Sequence, residues 1–190
     1  MGFSLTPSQT IGPFFKPSLI WPELTTLVND KTHGERIIIE GRILDGDGAP
    51  VDDAMVEIWQ ANADGRYDHP EDTQEKLLDP NFHGFGRTGT DAGGGFRFHT
   101  IKPGPVPGNG GTLQAPHINV TIFSRGILKH VFTRIYFQDE PLNVDDPVLN
   151  AVPCDRRSTL IARAEDAAQE RVYRFDVILQ GNSETVFFDI

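Results

Sequence analysis

Apolar and polar residues alternate in several short runs along this chain, which is the pattern of half-buried β-strands. The first run is rich in isoleucine and ends at Asp45-Gly46-Asp47-Gly48, a strong turn signal. The later runs are separated by glycine and proline, which favours many short strands joined by turns. The predicted strands span residues 37–44, 56–60, 96–100, 118–122, 130–137, 173–179 and 185–188.

Helical patterns are weak, and the remaining segments are predicted to be loops. Residues 158–169, alanine-rich with charges, predict one short helix. The stretch from Thr6 to Pro13 contains two prolines and a glycine, which predict an extended arm. Residues 102–117 form a long, proline-stiffened loop that runs directly into a strand, a common place for function. We therefore expect an all-β fold, a β-sandwich with long functional loops and an extended N-terminal arm.

Length and charge narrow the class of protein. The 190 residues suit one domain, with an arm and lead-in over residues 1–35 and a β-sandwich domain over 36–190. The net charge of −10 argues against nucleic acid and membrane as partners, since both reward a basic surface. We identify neither a signal peptide nor a membrane-spanning run, and the single cysteine, Cys154, fits a reducing cytoplasm and has no activation motif.

A candidate for metal chemistry lies at His117 and Asn119. Residues two apart on a strand point to the same face, so a second histidine at position 119 would place two imidazoles side by side. Asparagine stands there instead, and a neutral amide is a poor ligand for ferric iron. Taken by itself, this spacing favours a single histidine satisfied by backbone hydrogen bonds at a loop–strand junction.

Two other residues have both a structural and a functional interpretation. Tyr67 follows an Asn-Ala-Asp-Gly turn, and a tyrosinate can bind ferric iron, although a tyrosine near a turn is more often a half-buried anchor. Arg134 lies in the middle of an apolar strand and therefore needs a partner. That partner is either an internal carboxylate or an anionic ligand, and the internal salt bridge is the more common of the two.

Several motifs, in the same order along the chain, together resemble those of the intradiol ring-cleavage dioxygenases. The resemblance covers nearly the whole chain and is specific because the motifs occur together. It implies a β-sandwich with long active-site loops and non-haem ferric iron held by two tyrosines and two histidines. The motifs lie at residues 6–13, 56–62, 65–67, 91–105 and 116–119, and the resemblance ends in the run 185–189.

Carried over position by position, the resemblance implies a degenerate iron site. Tyr67 matches the first tyrosine and His117 the first histidine. Val106 stands in place of the second tyrosine, Asn119 in place of the second histidine, and Gln114 in place of an arginine near the bound intermediate. Since valine cannot ligate and glutamine cannot replace a guanidinium, we expect no functional iron in this chain's own pocket.

In one branch of the family such a chain pairs with a homologous, iron-bearing beta chain. The resemblance then implies that Thr10, Gly12 and Pro13 of the arm, with Arg134, help to shape the partner's iron site and to place an anionic catechol. It also implies a higher-order assembly of alpha–beta pairs. The implied reaction is cleavage of 3,4-dihydroxybenzoate by dioxygen between its hydroxyl-bearing carbons, to 3-carboxy-cis,cis-muconate.

Two alternatives stay open at this point. One is a catalytically silent β-sandwich that acts as a binding or scaffold module without a dioxygenase partner, because fold alone does not fix function. The other is a single-chain enzyme that has recruited a different metal. The retained arm and Arg134 argue against a free-standing module, which would not need the two together.

Overall fold

A computed structural model describes residues 18–165 and 170–189 of the chain. Within these residues the fold is all-β, as the alternating runs predict, with little helix. The described residues include the short α-helix α1 (Pro147–Ala151). Asp146 caps α1 by accepting the backbone N–H groups of Val148 and Leu149. The strands are β1 (Arg36–Leu44), β2 (Met55–Trp59), β3 (Phe85–Gly89), β4 (Gly95–Ile101), β5 (Val106–Pro107), β6 (Leu113–Gln114), β7 (His117–Phe123), β8 (Val131–Phe137), β9 (Ile161–Glu165), β10 (Arg171–Arg174) and β11 (Val177–Ile178).

Nine of these strands form one mixed sheet, in the order β11-β1-β10-β9-β8-β7-β2-β3, with β4 paired to β1. Strand β9 joins the two halves of the sheet, because it pairs antiparallel with β10 and parallel with β8. Strands β5 and β6 form a separate small hairpin. In the described part of the chain, no helix is long and apolar enough to cross a membrane.

The main hydrophobic core is shared by both halves of the sheet. It contains Ile39 of β1 and Phe98 of β4 together with Ile58 of β2 and Ile122 of β7. Along β7 the even-numbered residues enter this core and the odd-numbered residues face the other way. The alternation that predicted the strand therefore also assigns His117 and Asn119 to the opposite face of the sheet.

Strand β3 is absent from the sequence-based prediction because its composition is unfavourable for a strand. It contains two glycines in five residues. A side chain at Gly86 would start within 3.0 Å of atoms of Leu27, Ile58 and Phe98. Glycine is therefore required there by close packing, which local strand propensity does not register.

The helix predicted over residues 158–169 is wrong for its described part. A 3-10 turn (Arg157–Leu160) leads into β9, which pairs with the end of β8. Ala162 is buried in the core and Ala164 packs against it, so small residues at alternate positions suit a strand covered on one face. Tertiary pairing overrides the helix propensity of alanine here.

Two predicted strands near the end of the chain are also corrected. The run 173–179 is interrupted between β10 and β11, where the Asp176 side chain accepts the backbone N–H of Arg42 at 2.9 Å. The run 185–188 forms only an isolated bridge between Phe188 and Phe132. Within this run, side-chain hydroxyls satisfy the backbone of Val186, whose carbonyl accepts from Thr133 at 2.8 Å and whose N–H donates to Thr159 at 3.2 Å.

Candidate functional site

The candidate site lies on the face of β7 and β8 that points away from the main core. Strand pairing places His117 opposite Tyr136 and Asn119 opposite Arg134. On the other side of β7, Asn119 pairs with Trp59 of β2. Three adjacent strands therefore bring these five side chains together, although they are up to 77 positions apart in the sequence.

Tyr67 reaches the same place from the turn that follows β2. The Asn62 side chain shapes this turn by accepting the backbone N–H groups of Asp64 and Arg66 at 3.0 and 2.9 Å. The Tyr67 ring then stacks on Trp59, with 5.8 Å between the ring centroids. The stack fixes the ring, so the phenol oxygen is held beside the imidazole of His117.

A chain of hydrogen bonds joins the side chains where iron ligands are expected from the resemblance. The Ala115 carbonyl can only accept, so the 2.8 Å contact to His117 Nδ1 places the imidazole proton on that nitrogen. His117 Nε2 is then the acceptor facing the Tyr67 hydroxyl, at 3.5 Å. The Asn119 amide donates to the same hydroxyl oxygen at 3.3 Å. Position 119 therefore supplies a proton donor where the resemblance implies a metal ligand.

Burial keeps both His117 and Tyr67 uncharged. The His117 pKa is lowered to about 4, first because the ring is buried and then because Arg134 is close. Burial also raises the pKa of Tyr67 above its ordinary value, despite the hydrogen bond from Asn119. Both shifts favour a protonated phenol at Tyr67 and a neutral imidazole at His117 near neutral pH.

Arg134 is not in the internal salt bridge that its sequence context favours. Its Nη1 donates to Gln114 Oε1 at 2.7 Å and to the Tyr136 hydroxyl at 3.4 Å. Among residues 18–165 and 170–189, no carboxylate lies within ion-pair distance of it. The guanidinium instead lines an open pocket of about 500 Å³.

The β5–β6 hairpin provides another wall of this pocket. Val106 and Gln114 are directly opposite each other in the hairpin. Val106 is buried and has no polar atom to offer, whereas Gln114 holds Arg134. The pocket therefore contains the guanidinium of Arg134 on β8, although position 114, where the resemblance implies an arginine, carries a glutamine.

The side chains in this pocket do not fit ferric iron. Tyr67 and His117 are the two members of the implied ligand set that are present, and both are engaged in the hydrogen-bond chain. Ferric iron prefers anionic oxygen and imidazole, which Val106 and Asn119 cannot supply. In the part of the chain that the structure describes, no group of three or more histidine, cysteine or acidic side chains could hold a metal.

A larger groove of about 770 Å³ lies over β1 and β4, but its arginines are already paired with carboxylates. There Arg97 pairs with Glu40, and Arg42 pairs with Asp176. Thr10, Gly12 and Pro13 of the expected arm lie outside the described residues. Cys154 is exposed and free.

Three residues of the site, Trp59, Tyr136 and Asp146, are absent from the sequence-based candidates. The Asp146 side chain joins the site because it accepts the Tyr136 hydroxyl at 3.0 Å. The spacing of Tyr136 two positions after Arg134 could have indicated a shared face, as it did for His117 and Asn119. Asp146 precedes a proline at the start of α1, which is a helix-cap signal but not a signal for a site. Its approach to Tyr136 depends on how α1 packs against β8.

Comparisons with known proteins agree on one family. Residues 12–181 match the family described as Dioxygenase. The chain is 46% identical to the protocatechuate 3,4-dioxygenase alpha chain of Burkholderia cepacia, over 97% of each chain. It is 43% identical to the beta chain from the same organism, over 83% of this chain and 69% of that one.

A solved structure supports the same relationship. The dioxygenase domain of a dioxygenase–carbohydrate-binding protein fusion from Streptomyces sp. SirexAA-E superposes with a TM-score of 0.65 and 29% identity. The match covers 94% of this chain and 99% of that domain.

Proposed function

This chain belongs to the intradiol ring-cleavage dioxygenase family, and we propose that it is the iron-free alpha subunit of a protocatechuate 3,4-dioxygenase. The observation that carries this proposal is the pocket in which a hydrogen-bond chain occupies the expected ligand positions. The similarity to an alpha chain along 97% of both sequences supports it further. In this proposal the active enzyme contains an iron-bearing beta subunit and cleaves 3,4-dihydroxybenzoate with dioxygen to 3-carboxy-cis,cis-muconate.

The division of labour follows from the chemistry that each chain can offer. Non-haem ferric iron, held by the beta subunit, would act as Lewis acid and template for the bound catechol. The present chain would contribute substrate placement and assembly, with Thr10, Gly12, Pro13 and Arg134 directed towards the partner's iron site. The absence of a carboxylate beside Arg134 among the described residues supports this role, because the guanidinium can accept an anionic ligand.

The proposal extends to the architecture of the whole subunit. We propose that residues 36–190 form a single β-sandwich domain, preceded by the arm and lead-in of residues 1–35. The core shared by both halves of the sheet supports the sandwich description. Alpha–beta pairs would assemble further in the cytoplasm, a reducing compartment that the single cysteine, Cys154, fits.

Expression of the chain with and without an iron-bearing beta homologue tests the division of labour. We expect the chain alone to contain no stoichiometric iron and to leave protocatechuate uncleaved, and the purified pair to contain iron and cleave it. A lone chain that turns wine-red, holds one iron and cleaves the substrate would contradict the proposal. Failure of the two chains to co-purify would favour a scaffold module instead.

The role of Arg134 is tested in the assembled enzyme. Loss of a charge-assisted hydrogen bond is worth roughly 1.5–3 kcal/mol, so Arg134→Ala should raise the KM for protocatechuate about ten- to a hundredfold. Arg163→Ala is the matched control, because Arg163 is an exposed arginine on β9, outside the pocket. An unchanged KM in Arg134→Ala would return Arg134 to a structural role.

A further inference from the structure

Asp146 is a carboxylate that is completely buried behind the pocket wall. Asp146 is 0% exposed and lies at the N-cap of α1. Removing a charged group from water is unfavourable unless it is paired and hydrogen-bonded. The neighbours of Asp146 should therefore explain why the charge is kept there.

Four donors converge on the two oxygens of this carboxylate. Oδ1 accepts from the backbone N–H groups of Val148 and Leu149 and from the Tyr136 hydroxyl at 3.0 Å. Oδ2 accepts from the backbone N–H of Ala115 at 2.7 Å. Because every partner is a donor, the site requires a group that only accepts, as an ionised carboxylate does.

A positive charge, Arg134, lies one hydroxyl group away from this arrangement. The Tyr136 hydroxyl donates its proton to Asp146 and accepts from Arg134 Nη1 at 3.4 Å. Within the described ranges, no lysine, arginine or histidine forms a direct ion pair with Asp146. The hydroxyl therefore connects a buried anion to a pocket-lining cation, and its single proton fixes the direction of both hydrogen bonds.

The same carboxylate also supports the other side of the pocket. Ala115 donates its N–H to Asp146, and its carbonyl accepts the His117 Nδ1 proton. One buried group thus fixes both a strand residue that contacts Arg134 and the loop residue that orients the imidazole.

We propose that Asp146 is a positioning residue, which orients the Arg134 guanidinium through the Tyr136 hydroxyl for binding of the substrate carboxylate. This inference rests on the proposed function, in which Arg134 contacts that carboxylate. Asp146 itself touches no substrate and takes part in no bond making. Its contribution is to hold Arg134 in the orientation that a carboxylate can meet without rearrangement.

Tyr136→Phe in the assembled alpha–beta enzyme removes the connection while keeping the aromatic ring and the cap of α1. Loss of one orienting hydrogen bond should raise the KM for protocatechuate about three- to tenfold and leave kcat unchanged. The kcat/KM for catechol, which lacks the carboxylate, should not change. A fall in kcat/KM for both compounds would overturn the proposal, because it would indicate general distortion.

Asp146→Asn, combined with Tyr136→Phe in a double-mutant cycle, tests whether Asp146 acts through the hydroxyl. We expect Asp146→Asn to raise the KM when Tyr136 is present and to add nothing in the Tyr136→Phe background. A purely structural defect would raise the KM equally in both backgrounds and would overturn the proposal. Iron content and subunit stoichiometry confirm that each variant is assembled. If Asp146→Asn does not assemble, Asp146→Ser takes its place in the cycle, because serine keeps a hydrogen-bond acceptor for the backbone N–H groups of α1.

The Arg134→Ala enzyme separates failure of this inference from failure of the proposed function. If Arg134→Ala raises the KM but Tyr136→Phe does not, Arg134 binds the carboxylate without help from Asp146, and this inference is wrong. If Arg134→Ala itself leaves the KM for protocatechuate unchanged, Arg134 does not bind the substrate carboxylate. The proposed role of Arg134 is then wrong, whatever the result for Tyr136→Phe.

Discussion

At the scale of single residues, both ring nitrogens of His117 are engaged in hydrogen bonds. Its Nδ1 proton is committed to the Ala115 carbonyl, and its Nε2 faces a phenol that is itself bonded to Asn119. The ring is 3% exposed, which disfavours the charged form. The histidine is therefore a neutral hydrogen-bonding group, and its effect on stability should depend on pH.

Stability should decrease as the pH falls from 7 to 5, because unfolded His117 takes up a proton with an ordinary pKa while folded His117 does not. From 6.5 unfolded to about 4 folded, this residue contributes a loss of about 2 kcal/mol over that interval. The loss levels off below about pH 4, where both states are protonated. Urea unfolding at pH 7 and pH 5 measures it.

The comparison with His117→Gln isolates the contribution of this histidine from that of the carboxylates. The difference in unfolding free energy between pH 7 and pH 5 should be about 2 kcal/mol smaller in this variant. His69→Gln, the same change at an exposed position, should retain the full difference. Equal differences in all three proteins would show that His117 titrates normally when folded.

Restoring the missing ligand types tests the chemical reason for the proposal that this chain holds no iron. The double variant Val106→Tyr, Asn119→His should enable the isolated chain to bind ferric iron, because it supplies a second phenol and a second imidazole. Metal analysis and visible absorption from tyrosinate bound to iron are the measurements. The unaltered chain and each single variant are the controls, and a folded double variant without iron would show that further groups exclude the metal.

At the scale of elements, two loops are pressed together to hold Tyr67 over the pocket. Gly65 has φ +79°, and an added Cβ would lie 2.0 Å from the Pro105 carbonyl oxygen. Lys76 donates to the same carbonyl at 3.0 Å and so ties a third segment to the contact. The turn before Tyr67 and the loop after β4 therefore act as one unit, in which no space remains for a side chain.

Gly65→Ala should lower the unfolding free energy clearly more than Gly110→Ala. Gly110 also has a positive φ, +66°, but nothing lies within 4 Å of an added Cβ. The control should lose about 1 kcal/mol from backbone strain, and Gly65→Ala should lose roughly 1–3 kcal/mol more from overpacking. If chemical denaturation gives similar losses of unfolding free energy for Gly65→Ala and Gly110→Ala, the two loops can move apart at no cost in stability.

At the scale of the whole molecule, one hydrophobic core connects the two halves of the sheet, and the site lies outside it. Ile39 and Ile122 are both fully buried in this core, although they are in different halves. The opposite face of β7 and β8 is covered by a smaller cluster that includes Tyr136 and Leu149. The nine-stranded sheet and its core are therefore expected to unfold as one unit.

Ile39→Val and Ile122→Val should each lower stability by roughly 0.5–1.5 kcal/mol and should shift the same single transition. Circular dichroism and tryptophan fluorescence, recorded during urea unfolding, should give coincident curves for both variants. Two separated transitions, each affected by one variant, would contradict the single-domain proposal.

The sequence alone determined the all-β class and most of the strands, because burial of one sheet face imposes a period of two on the residues. It also determined the family, through the order of several motifs, and it predicted the positions at which iron ligands are missing. Where the pattern was wrong, as over residues 158–165 and at β3, the deciding contacts came from distant segments. Local propensity contains no information about those contacts.

Only the tertiary structure decided which groups satisfy the residues of the pocket. Arg134 has the amide of Gln114 and the hydroxyl of Tyr136 as partners, and no carboxylate of the described residues pairs with it. Asp146 became part of the site because the start of α1 lies beside β8. Its buried carboxylate accepts the Tyr136 hydroxyl, which in turn accepts from Arg134. Hydrogen bonds between residues far apart in sequence depend on distances of a few ångströms, and packing of the whole chain sets those distances.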